Sequence, residues 1–308
     1  MTVHGEKSTA LYDAGNEEGE PASCTEPDVL IREDYLETSD GVRLRTIDFT
    51  PPCHENGRPL ILLVAGWISL ISAWKEVLRV ITPRFKTVYI ETREKRSAHI
   101  DWKSSPHFSM ERMTRDLAEV VEKKVPSGHP FCLVGSSLGS TIILEYLAQT
   151  RRCPILSIAV APNAEFGIPK WFFPIGPFVP CSAYGIIKNI IKWYLRTYRV
   201  DSAREREQAL KYERSLDAAE PRRLKANALA MKNYSLWPKL EKIKDPVIIV
   251  AARTDTLHDM KDMKRMVGLI PSARLEIMES NRETHSDKMG HFIVDQIEAR
   301  DASMRPPV

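Results

Sequence analysis

Two hydrophobic patterns alternate along the chain. Short apolar runs at 60–64, 87–90, 131–134, 155–160, 247–251 and 274–278 are separated by longer stretches with apolar residues three and four apart. Runs that are apolar on both faces suit strands covered on both sides, the habit of parallel sheets. A further segment, 42–49, alternates apolar and polar residues like a half-buried strand, and Pro51-Pro52 stops it soon after. The three-and-four spacing predicts helices over 69–80, 110–124, 140–149, 260–269 and 292–299. Strands alternating with helices imply right-handed crossovers. The predicted architecture is α/β, with a mostly parallel sheet and helices on both of its faces.

Two segments depart from this alternation. Residues 1–28 are rich in Gly, Glu, Ser and Pro without apolar periodicity, and they are expected to form a disordered tail. Residues 165–244 contain no convincing strand, only long and strongly charged helical patterns. This predicts a helical insertion of 165–244 within a core made of 29–164 and 245–304. Inside the insertion, 171–180 is apolar but carries three prolines, so it cannot be a regular helix. Residues 183–199 read as a helix, with Ile186, Ile187, Ile190, Ile191, Tyr194 and Leu195 on one face. Lys188, Lys192, Arg196 and Arg199 line another face, which is either solvated or drawn to acidic headgroups or an anionic substrate.

Composition narrows the class. With 308 residues, 43% hydrophobic and 28% charged, the chain is globular rather than collagen-like, coiled-coil or wholly disordered. Lys plus Arg number 44 against 41 for Asp plus Glu, a net charge of +3 that does not call for a nucleic-acid partner. Five cysteines with no CxxC pair do not suit a disulfide framework or a zinc ribbon, so reduced thiols and a cytoplasmic location are expected. The polar, charged start is unlike a secretory leader, and no apolar stretch of about 20 residues predicts a spanning helix. No His/Cys/Asp/Glu cluster stands at ligand spacing, so neither metal nor cofactor is expected.

The chemistry is concentrated in Gly135-Ser136-Ser137-Leu138-Gly139, which follows the run 131–134 and opens the helix 140–149. A tight strand-to-helix turn forces its central residue into a strained conformation and leaves room only for small residues two positions to either side. Ser137 Oγ then projects from the carboxyl ends of the strands, beside the positive end of a helix dipole. Ser137 is therefore the candidate nucleophile.

At these residues the chain resembles the α/β-hydrolase family, over roughly residues 29 to 300. The resemblance implies an α/β-hydrolase core with an inserted helical cap, and the chain order serine, acid, histidine. Asp255, in Ala-Arg-Thr-Asp255-Thr-Leu after the strand 247–251, is similar to the family's acid loop. His285, in Thr284-His285-Ser286-Asp287 after the strand 274–278, matches the base, with one helix and one strand between acid and base. His291 competes, since its Gly290-His291 pair resembles the family's common histidine loop. It falls at the start of the predicted closing helix, and His285 is preferred. The resemblance also implies the backbone N–H groups of Leu138 and Trp67 as the oxyanion hole, and Trp171, Phe172, Phe173 and Phe178 of the cap beside the substrate.

Two departures stand out. The family commonly has His-Gly where this chain has Ala65-Gly66, and often an acid, an arginine and two glycines where it has Glu91-Thr92-Arg93-Glu94-Lys95-Arg96. The expected activity is that of a serine hydrolase cleaving a carboxylic ester or thioester with an apolar acyl group, through a Ser-His-Asp acyl-enzyme. The serine nucleophile argues against dehalogenase or epoxide hydrolase chemistry. A thioesterase or peptidase variant of the same triad, and a catalytically silent binding protein, are the alternatives. The expected partner is a small-molecule acyl ester, with peripheral membrane or lipid contact through the cap as a further expectation.

Overall fold

A computed structural model describes residues 21–53, 57–149, 152–194 and 206–304. Its strands are β1 (Leu30–Glu37), β2 (Arg43–Thr50), β3 (Leu60–Val64), β4 (Thr87–Ile90), β5 (Phe131–Ser136), β6 (Leu156–Val160), β7 (Val247–Ala252) and β8 (Ala273–Met278). They form one sheet in the order β1-β2-β4-β3-β5-β6-β7-β8. Every pairing from β4 to β8 is parallel, whereas β2 runs antiparallel to both β1 and β4. The strands β3 to β7 are buried at every position, which is why their sequences are mostly apolar, with few polar residues such as Thr87 and Ser157 among them. β1 has no such run. It is an edge strand in which only Leu36 is buried, so hydrophobicity does not announce it; its full-length ladder to β2 defines it.

Nine α-helices are described: α1 (Lys75–Ile81), α2 (Met110–Lys124), α3 (Leu138–Leu147), α4 (Phe172–Ile175), α5 (Tyr184–Tyr194), α6 (Arg206–Ala218), α7 (Pro221–Ala230), α8 (Met260–Leu269) and α9 (Asp287–Met304). α2, α3 and α8 cover one face of the sheet, where Leu117, Ile143 and Met266 join Leu62, Leu133 and Ile249 in one core. α1 and α9 cover the other, where Leu78 and Ile293 join Ile61, Val134 and Ile248. Full burial of each such side chain contributes about 1.5–3 kcal/mol.

The closing helix begins at Asp287, five residues before the expected 292. Its early start has a packing reason: α9 crosses α1 at Gly290, where an added Cβ would lie 2.7 Å from Val80 Cβ. The Gly290-His291 pair therefore belongs to a helix contact and not to a loop, and His291 is exposed on that helix.

Of the expected tail, residues 1–20 lie outside the described residues. From Pro21 the chain is placed, and a short 3-10 turn over Pro21–Cys24 buries Cys24 against the α1 side of the sheet. Between β6 and β7 the described residues hold helices α4 to α7 and no strand. The prolines limit 172–178 to one α-turn, α4, followed by a 3-10 turn at Gly176–Phe178. The expected basic face of 183–199 does not face solvent as a whole. Lys188 and Lys192 both turn onto Asp217 of α6, at 2.7 Å each, while Arg196 and Arg199 lie outside the described residues.

Candidate active site

Ser137 sits between the last residue of β5 and the first of α3, at φ 49° and ψ −115°. Such a conformation costs a non-glycine residue about 1–3 kcal/mol and persists only where the surroundings over-determine it. Here they do. Ser137 N–H donates to Val160 O of β6 at 2.8 Å, and Ser140 Oγ donates to Gly135 O at 2.7 Å and Val160 O at 2.9 Å. Gly139 is obligatory, because a Cβ there would come within 2.3 Å of Val64 O in β3. The turn thus locks α3 directly onto the neighbouring strand.

The loop from β7 to α8 approaches Ser137 with two side chains. Asp255 Oδ1 accepts the backbone N–H groups of Leu257 (2.8 Å) and His258 (3.1 Å), the local turn that aspartate favours. That turn folds the His258 ring back onto its own acid, with Nδ1 2.8 Å from Asp255 Oδ2, and brings Nε2 to 3.1 Å from Ser137 Oγ. The dyad is shielded, with side-chain exposures of 3% for Asp255 and 13% for His258. Burial alone would raise the Asp255 carboxyl pKa. The hydrogen bond and charge of His258, with the two backbone N–H donors, outweigh it and hold the group below the ordinary carboxylate value.

An ionised carboxylate can only accept, so Nδ1 is the donor of this pair. In a neutral imidazole Nε2 is then the acceptor, and the Ser137 hydroxyl donates to it. While its hydroxyl donates to His258, the same oxygen accepts from Asn163, whose Nδ2 lies 3.4 Å from Ser137 Oγ. Asn163 follows β6 and is clamped by Thr141 of α3, whose Oγ1 accepts the Asn163 N–H and donates to its carbonyl, both at 3.0 Å.

The structure therefore brings Ser137 and Asp255 together as expected but joins them through His258 instead of His285. His285 ends a short 3-10 turn, Glu283–His285, where its Nδ1 lies 2.9 Å from Thr284 Oγ1 and its ring tilts against Trp74 with centroids 4.8 Å apart. Sequence reasoning missed both His258 and Asn163. The available signal for His258 was its spacing: an aspartate with a histidine three residues later, in one short loop after a buried strand. Asp255 does not cap α8, since Asp259 does that by accepting the N–H of Lys261.

The other expected residues divide. Leu138 is the first residue of α3, so its N–H is one of the helix-start donors without an intrahelical acceptor. Trp67 lies in the turn after β3, which Ser69 N–H closes by donating to Gly66 O at 3.2 Å. Gly66 packs against the nucleophile turn, where a Cβ would meet Ser136 Oγ at 3.1 Å. The next residue but one, Ile68, has φ 49°, rare for a β-branched side chain. Of the expected substrate contacts, Phe172 and Phe173 are half-buried, whereas Trp171 and Phe178 are exposed, Phe178 by 85%. That exposure removes Trp171 and Phe178 from any enclosed acyl site in this conformation.

A family model described as "Alpha/beta hydrolase family" matches residues 61–299. Among solved structures, a thermophilic esterase from Thermogutta terrifontis superposes with a TM-score of 0.72 at 17% identity, covering 88% of this chain and 99% of that one. The enol-lactonase from Burkholderia xenovorans LB400 gives 0.70 at 17% identity, covering 86% and 100%. An esterase from Exiguobacterium antarcticum gives 0.67 at 14% identity, covering 87% and 100%. At these identities the likeness is one of fold. No curated protein matches the chain at a significant level.

Proposed function

Because the chain belongs to the alpha/beta hydrolase family, we propose that it is a serine hydrolase of carboxylic esters, with Ser137 as nucleophile, His258 as general base and Asp255 as the acid that orients it. The observation that carries this reading is the unbroken hydrogen-bond chain Asp255–His258–Ser137 on a strained strand-to-helix turn. During attack on the ester carbonyl, Ser137 Oγ bonds to carbon and its proton passes to His258 Nε2. Asp255 stabilises the imidazolium without itself taking the proton. The N–H groups of Leu138 and Trp67 would receive the oxyanion. His258 then protonates the departing alcohol, and the same steps with water as nucleophile free the acid. Asn163 donates to Ser137 Oγ and so holds the hydroxyl with its proton toward His258.

The finer reading is that the segment between β6 and β7 acts as a cap and the acyl group is apolar. The half-buried pair Phe172 and Phe173, packed edge-to-face with ring centroids 6.0 Å apart, supports it. Each buried methylene contributes about 0.8 kcal/mol, close to fourfold in binding. Across acetyl to decanoyl esters, kcat/KM should rise over several carbons, and Phe172→Ala with Phe173→Ala should flatten that rise. A wild-type preference for acetyl would remove the apolar-acyl reading and leave the hydrolase reading standing.

Contact of this cap with a lipid surface is supported by the orientation of α5. Its cations are turned onto Asp217 of α6, while Ile186, Ile190 and Trp193 are exposed, as are Trp171, Ile175 and Phe178 of the same segment. The attraction would thus be apolar insertion rather than pairing of the helix lysines with acidic headgroups. Sedimentation with phosphatidylcholine vesicles should carry the protein down, and the triple change Ile186→Ser, Ile190→Ser, Trp193→Ser should abolish this. Equal sedimentation of the two proteins, or none of either, would overturn it.

A further inference from the structure

The charged segment after β4 packs beneath the turn that carries Trp67. Its Glu94 and Lys95 are inside the protein, with side-chain exposures of 0% and 7%, and their charged ends are 3.5 Å apart. Lys95 Nζ donates to Gly66 O at 2.5 Å. Glu94 Oε1 accepts the Ile68 N–H at 3.4 Å and the Thr92 hydroxyl at 2.8 Å. Burial pushes the Lys95 ammonium pKa down, while the carboxylates of Glu94 and Glu91 oppose that shift.

The Gly66 carbonyl and the Trp67 N–H belong to one planar trans peptide, so a hydrogen bond that fixes the carbonyl also fixes the opposite direction of the N–H. A cation on that carbonyl further polarises the amide and makes its N–H a better donor. The following peptide, ending in the Ile68 N–H, is held by Glu94 at the residue with the positive φ. Each peptide flanking the Trp67 α-carbon is thus gripped by one member of a buried ion pair. The grip extends to the segment between β6 and β7, because Arg223 of α7 donates through Nη1 to the Lys95 carbonyl. A narrow cleft lies between the two sides, walled by Ile68, Ser69, Glu94 and Lys95 on one and by Ala218 and Ala219, at the end of α6, on the other.

We propose that Lys95 and Glu94 are positioning residues for the oxyanion hole, aiming and polarising the Gly66–Trp67 peptide so that the Trp67 N–H meets the developing negative charge. This rests on the hydrolase reading above. Such a donor acts in the transition state more than in substrate binding, so its misdirection lowers kcat and spares KM.

The test compares wild type, Lys95→Met and Glu94→Gln, each checked for a cooperative thermal melt. Lys95→Met should lower kcat by about 10- to 100-fold, part of the loss for removing one oxyanion donor outright, with KM within about threefold. Its inhibition constant for an alkyl trifluoromethyl ketone, which forms a tetrahedral adduct with serine, should rise by the same factor as kcat falls. Glu94→Gln is isosteric and should show a smaller loss with the same kcat-only signature. If Lys95→Met fails to fold, Glu94→Gln decides alone. Folded variants that keep kcat and ketone affinity within twofold of wild type, or that lose activity through KM alone, would overturn the proposal. Hydrolysis that persists in Ser137→Ala, or a wild type that neither hydrolyses esters nor reacts with the ketone, would instead bring down the hydrolase reading.

Discussion

Ser137→Ala should abolish labelling by a fluorophosphonate probe and lower ester turnover by about 10⁴- to 10⁶-fold, the range for losing the nucleophile of a serine triad. The geometry makes the effect specific to one of two adjacent serines. Ser137 occupies the strained position and meets His258 Nε2 at 3.1 Å. Ser136 is the last residue of β5, and it is buried behind the turn near Gly66. Ser136→Ala should therefore leave labelling intact. Near-normal hydrolysis by Ser137→Ala would mean that the nucleophile lies elsewhere.

The second large effect separates the histidines. His258→Ala should be as severe as Ser137→Ala, and the double variant no worse than either single one, because members of a catalytic unit do not contribute additively. His285→Ala should leave kcat/KM within about threefold while lowering stability by about 0.5–1.5 kcal/mol, the usual worth of a ring pair such as His285 with Trp74. Turnover of a p-nitrophenyl ester and urea unfolding, run on the same preparations, give both numbers. An inactive His285→Ala beside an active His258→Ala would assign the base to the loop after β8.

The reason His258 escapes sequence reasoning lies in how a base is positioned. Along the chain, a histidine 30 residues beyond the acid with a helix and a strand between them fits the order serine, acid, histidine, and His285 satisfies that order. Nothing in residue types distinguishes it from a histidine three residues after the acid. The distinction arises from the Asp255 turn, which aims the His258 ring at both Oδ2 and Ser137 within one loop anchored by β7 and α8. Asn163 is hidden for a similar reason, since its neighbour in space, Thr141, is 22 residues away in sequence.

Most of the sheet and the nucleophile turn are legible in the residues themselves. Strands buried on both faces must be largely apolar, as β3 to β7 are, and a turn as tight as that at Ser137 excludes any residue but glycine at 139. Those constraints act on each residue locally, so they mark the sequence. The edge strand β1, the start of α9 and the choice of base are set by partners distant in the chain: a ladder to β2, a helix crossing at Gly290, and a loop folded over Ser137. The segment Glu91–Arg96, which departs from the family's usual pattern, makes the same point, because four of its charged residues are buried. Arg93 is enclosed by Asp40 at 2.8 Å and Asp116 at 2.6 Å, and Glu94 and Lys95 pair beneath the turn after β3. A charge can leave water only when opposite charges and hydrogen-bond partners meet it there, and those partners are assembled by the tertiary structure.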